Sequence, residues 1–190
     1  QERKSASRTP ITAKLVAQLF EAAGVNRVLS LELHNSAIQG FFSIPVDHLF
    51  AKANFALYFE QQKIKDLIII SPDAGGVERA RAFAKHFGCG LAVIDKRRDR
   101  PNESKVMHII GDVKGKNCVI IDDIVDTGGS LLNAVHALLA NGAVSVSAAI
   151  THAVLSGKAV QLIEESAIRE LIVTDSIENS AKLEGKKKIK

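Results

Sequence analysis

Hydrophobic residues along this chain do not keep a single period. Short unbroken apolar runs alternate with stretches in which apolar residues recur every three or four positions. Four runs are unbroken, at 67–70, 91–94, 118–121 and 171–173, and strand-like stretches that include polar residues lie at 27–33 (ending at His34), 144–150 and, shorter, at 106–110. Runs of Val, Ile and Leu bounded by Gly, Pro or Asp fit strands buried on both faces of a sheet. Between them, three sets fall on helical faces: Ile11, Leu15, Leu19 and Ala22; Val77, Ala80, Ala84 and Phe87; Leu131, Val135, Leu138 and Leu139. Residues 51–62 and 158–165 also fit helices. Thr9-Pro10 predicts an N-cap followed by proline at the first helical position, with Gly24 and Gly88 as helix stops. The stretch after His34, through Gly40-Phe41-Phe42 and Ile44-Pro45, is irregular, and 95–104 fits an exposed charged loop. Such alternation predicts an α/β fold, a doubly wound and mostly parallel sheet.

Composition narrows the class. The 190 residues are 46% hydrophobic, enough for a sizeable core, but only 5% aromatic with no Trp, so that core must be aliphatic. The net charge of +4 suits an anionic ligand without requiring one. Much of the excess sits in Lys186-Lys187-Lys188-Ile189-Lys190, which fits a solvated loop or linker. No apolar run approaches the ~18 residues of a membrane span and no signal-peptide core opens the chain. Cys89 and Cys118 form no CxxC and have no zinc-type His pattern, which fits buried or half-buried thiols in a reducing compartment. A cytoplasmic protein with neither a nucleic-acid nor a membrane partner is expected.

In a doubly wound sheet ligands gather at the carboxyl ends of strands, and four segments place unusual residues there. In 119-VIIDDIVDTGGS-130 an aliphatic strand ends in Asp122 and Asp123, followed by Thr127, Gly128, Gly129 and Ser130 at the start of a helix. Helix amides favour an anion, whereas carboxylates repel one. A ligand with two ends resolves the conflict, its hydroxyls donating to the acids and its phosphate lying on the loop; a sugar phosphate has that form. There is no Walker A lysine and no GxGxxG. The segment 71-SPDAGGVERAR-81 repeats the device and points to a second anionic site, with Asp73 able to hold Mg²⁺ beside phosphate oxygens; a tight turn that admits only glycine is the structural alternative. The cations of 95-DKRRDRPN-102 fit either a solvated run or a lid bringing charge to a transferring group. His34, at a strand end, fits a structural role or a metal or phosphate contact.

Together with RTPITAKLVA (8–17), LELHNSAIQGFFSIPVDHL (31–49), SPDAGGVERARAFAKHFG (71–88), VIDKRRDRPN (93–102), IIGDVKGK (109–116) and THAVLSGKA (151–159), the opening motif resembles the ribose-phosphate pyrophosphokinase family, whose domains have the type I phosphoribosyltransferase fold. The resemblance implies transfer of the diphosphoryl group of ATP to the C1 hydroxyl of ribose 5-phosphate, giving AMP and phosphoribosyl pyrophosphate, with Mg²⁺ as cofactor. It implies that Asp122 and Asp123 hold the ribose hydroxyls and that Asp126, Thr127, Gly128, Gly129 and Ser130 hold the 5-phosphate. Asp73, Ala74, Gly75 and Gly76 would form the pyrophosphate loop, and His34 and Asp73 would ligate Mg²⁺. Lys96 and Arg98 would stabilise the transferring group, Gln1 would belong to the ATP loop, and Gln39 and Asp47 to a regulatory site for phosphate or ADP. Family members assemble as dimers stacked into hexamers, so a homo-oligomer is implied. Against the family's length, 1–49 corresponds to a remnant of the N-terminal domain (ATP loop, helix, strand) and 50–190 to the C-terminal domain that binds ribose 5-phosphate. His48 stands where the family usually has asparagine, and Ala153 where it usually has glycine.

Two other readings remain on sequence grounds. A nucleobase phosphoribosyltransferase could use the same loop, but it would not explain DKRRDRPN or RTPITAKLVA. A non-catalytic regulatory subunit or binding module on this fold is the other, against which the intact Asp122, Asp123, Lys96 and Arg98 argue.

Overall fold

Apolar runs and helical patterning sort the chain into the expected strands and helices, alongside further elements that neither pattern marks. The computed structural model describes residues 2, 4, 7–97 and 106–190 and divides into two units, Gln1–Ala51 and Lys52–Lys190.

The first unit holds helix α1 (Thr12–Ala22), strand β1 (Val28–Leu31), a 3-10 helix (Ser36–Phe41) and strand β2 (Val46–Leu49). β1 and β2 pair in parallel, Val28 opposite Val46. Three sequence expectations change here. Helix α1 starts at Thr12, after an extended Ile11 whose carbonyl accepts the first helical bonds from Lys14 and Leu15, so Thr9-Pro10 lies outside it and Ile11 takes the N-cap position. The stretch expected to be irregular contains both the 3-10 helix, capped by Asn35 Oδ1 accepting from the Ala37 amide, and β2. On α1 the residue that is buried is Ala17, while Leu15, Leu19 and Phe20 are exposed.

The second unit is the α/β domain. Its elements are α2 (Lys52–Gln62), β3 (Leu67–Ser71), α3 (Val77–Phe87), β4 (Gly90–Arg97), β5 (Val106–Ile110), β6 (Asn117–Val125), α4 (Gly129–Ala140), β7 (Ser145–Ala153), α5 (Ala159–Glu165), β8 (Glu170–Val173) and α6 (Ser180–Leu183). Six strands form one sheet in the order β5-β4-β3-β6-β7-β8. All neighbours are parallel except β4 and β5, as a doubly wound sheet requires. One face, through Ile68, Ile70, Ile120, Ala148 and Ile150, packs on Leu131, Val135 and Leu138 of α4 and Ile163 of α5. Because strand side chains alternate, Ile69, Val119 and Ile121 turn to the other face, where Ala80, Phe83 and Ala84 of α3 are buried. Val119, Ile121 and Ile150 are each 2% exposed or less, so both sides of the central strands are dry.

Two further expectations are corrected. Strand β4 continues through Arg97, with Asp95 opposite His108, so the start of the supposed 95–104 loop is sheet. The last residues do not hang in solvent. Ile189 is buried, bridges in parallel to Leu171, and the Leu171 amide donates to the Lys188 carbonyl. The lysine run conceals a period-two pattern in which Ile189 faces the core and its neighbours face out.

Candidate functional site

The strand order itself locates a crevice. From β3 the chain moves outward to β4 and β5, then returns past β3 to β6 and moves the other way to β7 and β8. Chain direction therefore reverses between β3 and β6, and a doubly wound sheet binds ligands outside the carboxyl ends of the strands at such a point. The two loops that emerge there are 72–76 and 126–128, which carry the expected site residues Asp73 to Gly76 and Asp126 to Gly128.

Strand β6 holds both acids inside its hydrogen-bonded span rather than beyond it, Asp122 lying opposite Ile150 on β7. Asp123 is 4% exposed and Asp122 half-buried. Asp122 Oδ1 accepts from the Asp123 amide at 2.9 Å, folding its carboxylate back along the strand. That brings the two side chains together although strand alternation starts them on opposite faces. Burial first, then hydrogen bonding and repulsion from Asp123, push the Asp122 carboxyl up to about 7. Arg79 of α3 answers this charge, its Nη1 lying 3.7 Å from Asp122 Oδ1 and 3.7 Å from Asp123 Oδ1.

Beyond the acids, Asp126, Thr127, Gly129 and Ser130 are exposed at the start of α4. Gly128 is the N-cap residue, with φ +81°, a left-handed value that glycine adopts without strain, and α4 has no side-chain cap. The amides of its first turn, ahead of the Leu132 amide that donates to the Gly128 carbonyl, lack intrahelical acceptors and carry the positive end of the dipole. A second loop braces this one. The Val154 and Leu155 amides donate to the Val125 carbonyl, and the Ser156 amide to that of Asp126. Ser156 Oγ also donates to Asp126 Oδ1.

After β3, Asp73 turns back on its own loop. Its Oδ1 accepts from the Gly76 amide at 3.1 Å, and Ser71 Oγ donates to its carbonyl at 2.7 Å. A Cβ on Gly76 would stand 3.0 Å from Ser71 Oγ, and one on Gly75 would stand 3.2 Å from Asp73 Oδ1. Both glycines are therefore set by close approach, and Asp73 and Ala74 remain exposed above the start of α3. Asp122 feels Asp73 as a like charge, which places the two loops on one electrostatic site.

The remaining candidates belong to other segments of the chain. His34, Gln39 and Asp47 belong to the first unit. His34 is exposed; Gln39 Nε2 donates to the Ser36 carbonyl and lies 3.4 Å from His48 Nδ1; Asp47 forms a two-pronged ion pair with Arg27 at 2.6 and 3.0 Å. His48 Nε2 accepts from the Leu33 amide, so it is built into the local frame. Lys96 lies on β4, opposite Met107. Arg98 and Gln1 lie outside the described residues. Among the described residues no group of three His, Cys, Asp or Glu side chains could hold a metal ion by itself, and no helix is long and apolar enough to cross a membrane. Cys89 and Cys118 are free thiols, and burial pushes that of Cys118 up to about 12.

Sequence reasoning missed Arg79 and Ser156. Arg79 lies three residues after Gly76, so the first turn of α3 aims it back toward the strand ends. Ser156 gave no signal of its own, because its partner Asp126 lies 30 positions away.

Comparison with known proteins agrees with this frame. The family model for the phosphoribosyl transferase domain matches residues 42–184. Over 179 residues, covering 94% of this chain, the sequence is 57% identical to a protein of Rhizobium meliloti named ribose-phosphate pyrophosphokinase. A Bacillus cereus protein of the same name is 54% identical over 177 residues. This chain spans 58% and 56% of the length of those relatives. The crystal structure of phosphoribosylpyrophosphate synthetase from Mycobacterium smegmatis superposes with a TM-score of 0.92 at 38% identity, covering 100% of this chain and 61% of that one. The chain belongs to the phosphoribosyl transferase domain family.

Proposed function

We propose that the protein to which this chain belongs is a ribose-phosphate pyrophosphokinase. It transfers the diphosphoryl group of ATP to the C1 hydroxyl of ribose 5-phosphate, giving AMP and phosphoribosyl pyrophosphate. The observation that carries this is the 57% identity over 94% of the chain to a protein of that name. The switch point supports it chemically, since paired acids suit ribose hydroxyls and an uncapped glycine-hydroxyl helix start suits the 5-phosphate.

In this reading Asp122 and Asp123 orient the sugar. Asp126, Thr127, Gly128, Gly129 and Ser130 seat its phosphate, and the loop of Asp73, Ala74, Gly75 and Gly76 receives the diphosphoryl group. Transfer of this kind depends on positioning and charge stabilisation rather than on a covalent nucleophile. Lys96 and Arg98 supply cations to the transferring group, and Gln1 contributes to the ATP site. Mg²⁺ suits the exposed Asp73 carboxylate, a hard oxygen donor of the kind that ion takes beside phosphate oxygens. Asp73 would help to hold it, and it would neutralise phosphate charge. Gln39 and Asp47 serve a regulatory site for phosphate or ADP in a cytoplasmic homo-oligomer, dimers building to a hexamer.

The test is turnover by the protein at the length of its relatives. Supplied with ATP, ribose 5-phosphate and Mg²⁺, it should release AMP and phosphoribosyl pyrophosphate in equal amounts. Absence of AMP, together with nucleotide formation from phosphoribosyl pyrophosphate and a free base, would assign it instead to the nucleobase phosphoribosyltransferases.

A further inference from the structure

We propose that Arg79 is a positioning residue for the sugar half of the site. Its guanidinium holds the Asp122 and Asp123 carboxylates in the arrangement that receives ribose hydroxyls, while the phosphate half at 126–130 forms without it. This deepens the sugar-phosphate reading above and rests on it.

Arg79 rises from the first turn of α3, the helix that the Asp73 loop opens, and ends beside the acids of the neighbouring strand β6. Its side chain is 17% exposed, and a cation that is removed from water in this way needs anions within reach. One nitrogen, Nη1, is 3.7 Å from an oxygen of each carboxylate. Two adjacent acids repel and would turn apart; a cation equidistant from both favours the rotamers that keep them convergent. Asp122 has a second constraint in its bond from the Asp123 amide. At Asp123, 6% exposed at its side chain, the charge of Arg79 has few competing solvent dipoles to weaken it.

The phosphate half is built differently. Gly128 sets its turn, and the Asp126 loop is tied by Val154, Leu155 and Ser156 from the segment after β7. Arg79 takes part in none of those bonds. The two halves of one ligand are thus supported by separate parts of the fold, and one substitution should separate them.

The contact geometry also predicts which replacement is tolerated. At 3.7 Å from both acids, beyond hydrogen-bond length, Nη1 bears on them as a shared charge. Lysine should therefore restore most of what methionine loses.

The experiment is calorimetric titration of the 190-residue chain and of Arg79→Met and Arg79→Lys with ribose 5-phosphate and, separately, with inorganic phosphate. The expected result for Arg79→Met is at least a tenfold rise in the Kd for ribose 5-phosphate with less than a twofold change for phosphate. Arg79→Lys should return the sugar-phosphate Kd to within about threefold of wild type. Retained phosphate binding shows that the variant is folded. A purely structural role would weaken both ligands together, and that outcome, or unchanged ribose 5-phosphate binding, overturns the inference while leaving the sugar-phosphate reading in place. Wild type that binds neither ligand overturns both.

Discussion

Replacing Asp122 with asparagine should make the protein more stable, and increasingly so as pH rises. In the folded chain burial and the neighbouring Asp123 raise this carboxyl from its ordinary 3.8 to about 7. Its protonated form is therefore favoured by folding, and the native state holds more protons than the unfolded state between about pH 4 and pH 7. Stability consequently falls with rising pH across that window and levels off above it. The gap corresponds to about 4 kcal/mol at ~1.4 kcal/mol per pH unit. With 28% of the side chain open to water, screening brings the expected cost to about 2 kcal/mol. Asparagine keeps an oxygen that can accept the Asp123 amide bond, so the substitution removes charge with little change of shape. Urea denaturation of wild type and Asp122→Asn at pH 5 and pH 8 measures the difference. The account predicts a gain in stability for the variant at pH 8 of about 2 kcal/mol, shrinking at pH 5. A difference that is independent of pH, or one that grows toward acid, would refute the reasoning. If this charge receives the sugar hydroxyls as proposed, the variant should also lose ribose 5-phosphate affinity.

Two glycines should separate stability from binding. Gly111→Ala, at φ +119° with its Cβ 2.8 Å from that of buried Ala92, should cost about 3 kcal/mol by thermal denaturation and leave ligand affinity in the surviving folded fraction unchanged. Gly128→Ala, at φ +81° and meeting Ile163 at 3.7 Å and Ala159 Cβ at 3.9 Å, should cost about 1–2 kcal/mol but weaken phosphate binding at least tenfold by calorimetry, because the first turn of α4 must shift. Lys190→Met removes a 2.8 Å bond to the buried carboxylate of Glu170, which also accepts from the Tyr58 hydroxyl at 2.8 Å. Burial alone would raise that carboxyl, but Lys190 and Tyr58 outweigh it and hold it below its ordinary range. The stabilisation is thus present above the ordinary carboxylate value and lost as pH falls through the lowered one. The variant should lose about 1–2 kcal/mol at pH 7 and progressively less as pH falls below the ordinary carboxylate value in denaturant titrations.

What the sequence made legible follows from how local each determinant is. The strand at 118–121 and the helix through Leu131, Val135 and Leu138 announce themselves because their burial depends on neighbours along the same element. The acids and the glycine-hydroxyl loop were visible because they lie together in sequence, within the last residues of one strand and the start of the next helix. Long-range partners were not. Ile189 looked like an interruption in a lysine run because its core partner, Leu171, is distant in sequence. Thr9-Pro10 has the composition of a helix start, yet the first carbonyl to accept belongs to Ile11. Arg79 sat unremarked in a quoted motif, since only the order of β3 beside β6 brings α3 to the acids. The exposed Leu15, Leu19 and Phe20 show helical spacing without the burial it usually signals.

The central claim is that one sheet edge holds a ligand with two chemically different ends. It is tested most directly by titrating the isotope-labelled chain with ribose 5-phosphate, ribose and inorganic phosphate while recording amide resonances. The account predicts that phosphate shifts the amides of Thr127, Gly128, Gly129, Ser130 and Leu131. Ribose 5-phosphate should shift the same set and, in addition, Asp122 and Asp123. Shifts by ribose 5-phosphate confined to residues away from β6 and the start of α4, or no shifts at millimolar ligand, would contradict it.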